Sequence, residues 1–541
     1  MAYAVVCPQP VVAEVALDVL AEGGNAVDAV VSGAMVQGVV DPLMCGPGGY
    51  GVMTVHEAGS GRTTVLDFFA RAPLASVEGV SGGRLLSEFS QDYGYIVEGL
   101  ANEVGYRSIA TPGTVAGLGL ACERFGTRPW SAALEPALAV ARDGFTVTLQ
   151  ARAPWAEGDG PDKPGGATRM AFSETGRALY LDADGAIVPT GHVVRNPDLA
   201  HTLERLAAAG PQDFYTGEIA AAIVADMAVG GSDLDAEDLR AFQVGVTEPV
   251  VGTYRGRRIL LPGYPAGGPS VLQALGVLEV LAPGGPGDWV EGPGALALAT
   301  ALHAAILDKY EVFAGPRDQQ VSVQEMLAPQ RLQALAQRVA AQPAGAAAGS
   351  HGLDVEPAST THLAVVDAQG NAAAVTHTLA SGSGVITGGL GFMYNNFLHG
   401  FDPRAGRWNS LRPGATRPAS MSPGLVLDGD GSVSAVVGAT GSTRIVSSLV
   451  QVLSHLLDRG WDPVRAVSAP RVNAQRSGAV QLEGRFPDSA LAHVRAAGRE
   501  AVRHPRNYDP YFGKAHVLAR TAGGWDGAAD PRGDGGIARV R

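Results

Sequence analysis

Lysine is almost missing from this chain: Lys163, Lys309 and Lys514 are the only three among 40 basic residues. With abundant Ala and Gly, that scarcity reads as a compositional bias of the coding sequence. No dense basic stripe appears and the formal charge is −13, which argues against nucleic-acid or anionic-membrane binding. Cysteine is also scarce. Cys7, Cys45 and Cys122 are scattered and odd in number, so neither a disulfide framework nor a metal knot is indicated. The twelve histidines form no H-E-x-x-H or paired spacing, which disfavours a zinc hydrolase. Apolar stretches are short and broken by Gly or acidic residues, so no transmembrane helix is expected. The start, MAYAVVCPQPVVAEVALDVL, lacks a basic n-region and passes straight into helix-like periodicity. A cytoplasmic location is the resulting expectation.

What is present describes a folded protein. Hydrophobic content is 46% and charged content 17% over 541 residues, enough for several cores or one large layered domain. Pro10 to Leu20 reads as a short amphipathic helix stopped by Glu22-Gly23-Gly24, and Asn25 can cap a second, apolar helix through Val39. GVMTVHE and TTVLDFF alternate as paired strands do. Thr114–Phe125, Trp130–Arg142, Asn196–Ala209, Tyr215–Ala228, Ser270–Leu281 and about Ala295–Val312 carry helical patterns. Gln342–Pro357 is Ala/Gly/Pro-rich, as a mobile surface segment would be. Beyond it strands dominate: THLAVVDA, NAAAVTHTL and SVSAVVG, with one helix at Ile445–Leu457. No internal repeat is found. The class is α+β.

The stretch PASTTHLAVVDAQGNAAAVTHTL carries the chemistry. Ser359-Thr360-Thr361 stands before a strand–turn–strand that ends in Thr378. One reading is a turn that opens a strand, where threonine suits β structure. The other makes Thr360 a chain terminus. If the Ser359–Thr360 bond is cut, Thr360 owns both a hydroxyl and a free α-amine. An α-amine has a pKa near 7.7–8.0, so part of it is unprotonated at neutral pH and can take the hydroxyl proton. One residue then supplies nucleophile and base, and neither a metal nor a cofactor is required. His362 and His377 flank the hairpin and read as strand-face groups.

TTHLAVVDAQGNAAAVTHTL resembles the start of the small subunit in the γ-glutamyltransferases, a family of N-terminal-nucleophile hydrolases. EGGNAVDAVVSGAMVQGVVDP, GPGGYGVMTVH, ATPGTVAGL, ARDGF, RPASMSP and GATGSTRI are similar to further family motifs and follow in family order. The resemblance implies a four-layer αββα sandwich and self-cleavage into a large subunit, 1–359, and a small subunit, 360–541, that stay associated. It implies that Thr360 attacks a substrate carbonyl to form an acyl-enzyme and that Thr378 orients it. Gly441 and Ser442 match the family's oxyanion glycines. Serine in the second position keeps the N–H donor but restricts the backbone, and losing such a donor costs about 3–4 kcal/mol in related chemistry.

The substrate pocket departs from the family pattern. The positions that hold the α-amino group of a γ-glutamyl donor match Ala380, Phe397 and Gly400. The arginine that grips the α-carboxylate falls at Phe69, with Arg71 two places on, and of two assisting serines one matches Ala419 while the other is Ser420. The lid segment before RPASMSP is shorter. A small acyl compound with a carboxylate but no α-amine is therefore expected, held by Arg71, Ser420 and Arg444. Arg71 reads equally as a strand-end arginine paired with an acid. Two subgroups share this outline: oxamate amidohydrolases, and homologues that hydrolyse a carbon–carbon bond in 4-alkyl-proline antibiotic pathways and expel an oxalate-like fragment. A true glutathione hydrolase and an unprocessed, non-catalytic binding protein are the remaining alternatives. Gly46-Pro47-Gly48-Gly49-Tyr50-Gly51 satisfies G-x-G-x-x-G, but it follows a helix and enters a strand, the reverse of the dinucleotide-binding context.

Overall fold

The computed structural model describes residues 3–78, 84–88, 95–160, 163–285, 287–314, 321–341, 360–533 and 535–539. Ser359 and the segment 342–357, expected to be a mobile surface stretch, lie outside the described residues.

Two antiparallel sheets stand at the centre. In chain order their strands are β1 (Ala4–Cys7), β2 (Tyr50–Glu57), β3 (Arg62–Phe68), β4 (Gly245–Thr247), β5 (Val250–Tyr254), β6 (Arg257–Leu261) and β7 (Thr361–Val366). After these come β8 (Ala372–Thr378), β9 (Gly424–Leu427), β10 (Val433–Thr440), β11 (Lys514–Thr521), β12 (Gly524–Ala529) and β13 (Gly536–Arg539). The first sheet has the order β13-β1-β7-β8-β2-β3-β4, the second β12-β11-β10-β9-β6-β5. Helices α1 (Pro10–Ala21), α2 (Ala26–Val40), α3 (Thr114–Phe125) and α4 (Trp130–Asp143) form the layer over the first sheet. The layer over the second contains α5 (Gly268–Leu281), α6 (Gly292–Ala314), α7 (Pro329–Ala341) and α8 (Arg444–Arg459). This is the four-layer αββα arrangement that the family resemblance implies.

Alternation along the strands builds two cores at once. On β7, Leu363 and Val365 join the core under α1 and α2, while Ala364 and Val366 face the second sheet. Ala373 and Val375 of β8 point with the former, Ala372 and Ala374 with the latter. Leu260, Leu425, Val436 and Leu518 meet them from the second sheet. Buried on both faces, these strands read as near-continuous apolar runs. Helix α2 is buried along its whole length, and Asn25 starts it by accepting from the Val27 and Asp28 amides while Asp28 returns a bond to the Asn25 N–H.

The N-terminus departs from the expected periodicity. Ala4–Cys7 is a strand, inserted between β7 and β13, before the first helix begins at Pro10. Four residues buried on both faces leave no period to read. Both sheets also mix strands from either side of Ser359, so a chain cut there would remain held by shared ladders and cores.

Candidate active site

Thr360 is buried and stands one residue before β7. In the β7–β8 ladder Thr361 pairs with His377, so the next position outward sets Thr360 beside Thr378. The Thr360 hydroxyl donates to Thr378 Oγ1 at 3.4 Å, and Thr378 Oγ1 accepts the Ala380 N–H at 2.8 Å. Thr360, His362, Thr376 and Thr378 share the face toward the second sheet, and Thr361 and His377 the face toward α2.

Gln37, wholly buried in α2, fastens that second face. Its Nε2 donates to Thr361 Oγ1 at 2.9 Å and to the His362 carbonyl at 3.2 Å, and its Oε1 hydrogen-bonds with His377 Nε2 at 2.9 Å. Burial pushes the His377 imidazole down to about 3. Burial, with His516 and His377 nearby, holds His362 well below the ordinary range. Both are neutral near pH 7, and they behave as strand-face groups. The Gly-rich turn has a packing role: a Cβ on Gly49 would stand 2.6 Å from the Thr378 carbonyl oxygen, and one on Gly48 2.4 Å from that of Met393.

Ser442 and Thr443, in the turn between β10 and α8, line a cavity together with Thr360. Gly441 has φ +119°, and a Cβ there would lie 2.8 Å from Gly513 Cα, so glycine is required. Ser442 has φ +54°, followed by right-handed Thr443. The Arg444 N–H donates to the Gly441 carbonyl at 3.0 Å and closes the turn. Thr360, Thr378, Ala380, Ser420, Ser442 and Arg417 line one small cavity of about 70 Å³. Ala380, at φ +57°, is a second non-glycine residue with left-handed backbone there; strain of this kind clusters at functional sites. Left-handed backbone costs a side-chain-bearing residue roughly 1–2 kcal/mol, and more for a β-branched one. Ser442→Gly should therefore melt no lower than the parent, and Ser442→Val, which adds the β-branched excess to the cost the serine already bears, should be less stable than the parent in chemical denaturation. A Val variant as stable as the parent would contradict the strained turn.

Arg417 is the group that sequence reasoning overlooked. It is buried, donates through Nε to the Phe397 carbonyl at 2.8 Å and lies 4.5 Å over the Phe397 ring. A Cβ on Gly400 would stand 2.5 Å from its Cζ, so the guanidinium fills the space where a side chain at position 400 would begin. Its charge acts across the cavity. Burial raises the Tyr50 phenol while Arg417 opposes the rise, and burial together with Arg417 drives His399 down to about 4. Arg417 is the first residue of the RPASMSP motif, which was the available signal.

The other expected pocket residues divide. Ser420 lines the cavity. Phe69 and Phe397 stand behind it, their rings 5.8 and 4.6 Å from Tyr50, itself a lining residue. Arg71 is not among the lining residues; it donates to the Phe69 carbonyl at 3.0 Å and pairs with Asp67 at 3.4 Å, the strand-end alternative. Arg444 turns to the far side of Ser420 and Thr443, into a neighbouring cavity, with its guanidinium 4.6 Å over the Tyr511 ring. Among the described residues no group of three or more His, Cys, Asp or Glu side chains could hold a metal, and no helix is long and apolar enough to cross a membrane.

A four-layer sandwich with a threonine at the head of a central strand is the architecture of the N-terminal-nucleophile hydrolases. The Bacillus halodurans cephalosporin acylase structure superposes with a TM-score of 0.83 over 99% of this chain and 95% of its own, at 24% identity. The profile of the family described as Gamma-glutamyltranspeptidase matches residues 12–540. The Acylase ACY 1 proenzyme of Pseudomonas sp. (strain SE83) is 31% identical over 508 residues, covering 93% of this chain and 88% of that protein. The Glutathione hydrolase proenzyme of Pseudomonas aeruginosa is 32% identical over 489 residues, covering 87% and 83%. This chain belongs to the gamma-glutamyltranspeptidase family, and it is an enzyme of the acyl-hydrolase type that the family comprises.

Proposed function

We propose that this chain cleaves itself between Ser359 and Thr360 and then hydrolyses a small acyl compound that bears a carboxylate and no α-amine. In the first step Thr360 Oγ attacks the Ser359 carbonyl carbon, the peptide C–N bond breaks as the nitrogen takes a proton, and water hydrolyses the resulting ester. Segments 1–359 and 360–541 result, the second beginning with a free amine. In turnover that amine accepts the Thr360 hydroxyl proton as the oxygen attacks the substrate carbonyl. The N–H groups of the Gly441–Ser442 turn stabilise the developing oxyanion. The leaving group departs with a proton, and water releases the acyl group from Thr360.

The observation that carries the substrate class is Arg417. In the family pattern, position 400 offers an acceptor to a donor's ammonium; here Gly400 offers no side chain and a guanidinium fills that space. Ala380 and the buried Phe397 supply no acceptor either. An ammonium beside Arg417 is repelled and left unpaired, whereas a carboxylate gains a charge-assisted bond, with Ser420 on the same cavity wall.

Two anilides separate the alternatives. Glutaryl-anilide keeps a carboxylate and lacks the amine of γ-glutamyl-anilide. We expect its kcat/KM to be higher by about 100-fold, the usual effect of leaving a buried polar group unpaired. Equal or better turnover of the γ-glutamyl donor would instead favour a true glutathione hydrolase. The wild-type protein should run as two fragments in denaturing electrophoresis.

A further inference from the structure

Thr360 lines both the Arg417 cavity and a second, larger one. On the side away from Arg417 a groove of about 740 Å³ opens, within the size range of ligand pockets, against about 70 Å³ on the Arg417 side. With Thr360 as nucleophile, the small cavity fits a short acyl group, and the groove is the larger of the two spaces for the rest of the substrate. Val11, Val40, Met44 and Phe145 give that groove an apolar wall.

Of its charged lining residues, Glu157 is a half-buried carboxyl that burial pushes up, with Lys163 and Arg169 opposing the rise. Arg506 is held by Asp509 at 2.7 Å, and Asp41 accepts from Gln9 at 2.8 Å. Lys514 differs. It begins β11, pairs in register with Thr440 directly before the Gly441–Ser442 turn, and lines the groove together with Thr360. Its stem runs over Gly533, where a Cβ would stand 2.9 Å from Lys514 Cδ. Among the described residues Lys514 forms no ion pair, and its charge reaches inward far enough to help depress the His516 imidazole behind burial itself. A half-buried lysine with no ion pair among the described residues, in the groove that Thr360 also lines, is a site for an anion.

We infer that the groove is the leaving-group subsite and that Lys514 binds a carboxylate on the departing half of the substrate. This rests on the proposed role of Thr360 and extends it. With Arg417 on the acyl side, the substrate carries negative charge on both sides of the scissile bond.

The test uses the full chain and two donors that share an acyl group, glutaryl-anilide and glutaryl-3-carboxyanilide. In the parent protein the carboxylated donor should have the higher kcat/KM by about ten- to a hundredfold, through KM. In Lys514→Met the ratio should fall close to one, and Lys514→Arg should restore part of it. Because the ratio is internal to one preparation, a folding defect that slows both donors equally leaves it untouched. The same ratio in Lys514→Met as in the parent overturns the subsite. If Thr360→Ala abolishes turnover of both donors while that ratio persists, the subsite alone falls. If Thr360→Ala still turns over either donor, the nucleophile reading and the subsite fall together.

Discussion

Thr360→Ala is expected to remain one 541-residue chain and to lose at least about 10⁴-fold in turnover, the scale on which removing a nucleophile acts. Both effects have one cause. The hydroxyl that attacks the Ser359 carbonyl is the hydroxyl that later attacks substrate, so its removal blocks maturation and chemistry together. While the bond to Ser359 is intact, the Thr360 nitrogen is an amide and cannot accept a proton at neutral pH. Thr360→Ser separates the parts: it keeps the hydroxyl, so the two fragments should appear, more slowly, because without the methyl group χ1 is less restricted. Thr378→Val removes the oxygen that receives the Thr360 hydroxyl at 3.4 Å and should slow both steps without abolishing either. Electrophoresis and turnover measured on the same preparations check all three. Activity in an uncut Thr360→Ala chain would remove the mechanism.

Much of this was legible because it is local. The Thr360–Thr378 hairpin follows from two alternating apolar runs around a short turn, and Asn25 announces α2 through a cap three residues deep. The layered class followed from family resemblance over the whole chain. What stayed hidden is tertiary. Ala4–Cys7 looked like the approach to a helix because a four-residue strand buried on both faces has no period. Arg71 lies two places beyond Phe69 in sequence, yet it pairs with Asp67 of β3. Arg417 stands in a motif that was recognised, but its meaning depends on Gly400 leaving room for the guanidinium, a contact across the chain that no spacing rule encodes. Ser442 could be flagged as a departure from glycine; that it pays the left-handed strain and keeps φ at +54° required the structure.

Arg417→Gln is expected to lower kcat/KM for carboxylate-bearing donors by about 10²- to 10³-fold, since removing one member of a buried charged contact costs 2–5 kcal/mol. The loss should fall mainly on KM, because the carboxylate is bound throughout the reaction and not only in the transition state. Arg417→Lys should recover a fraction, as an ammonium replaces the planar two-pronged donor with a point charge. The sharper readout is the ratio of glutaryl- to γ-glutamyl-anilide turnover. Taking the cation away removes the attraction for the carboxylate that both donors carry, but relieves the repulsion of an ammonium in the γ-glutamyl donor alone, so the ratio should move toward one. Electrophoresis guards against misreading a collapsed pocket, because self-cleavage at Ser359–Thr360 does not involve a substrate carboxylate and should still yield two fragments. If those fragments form and the ratio stays at the parent value, Arg417 is a packing residue over Phe397, and the anion must be held by another group in the cavity.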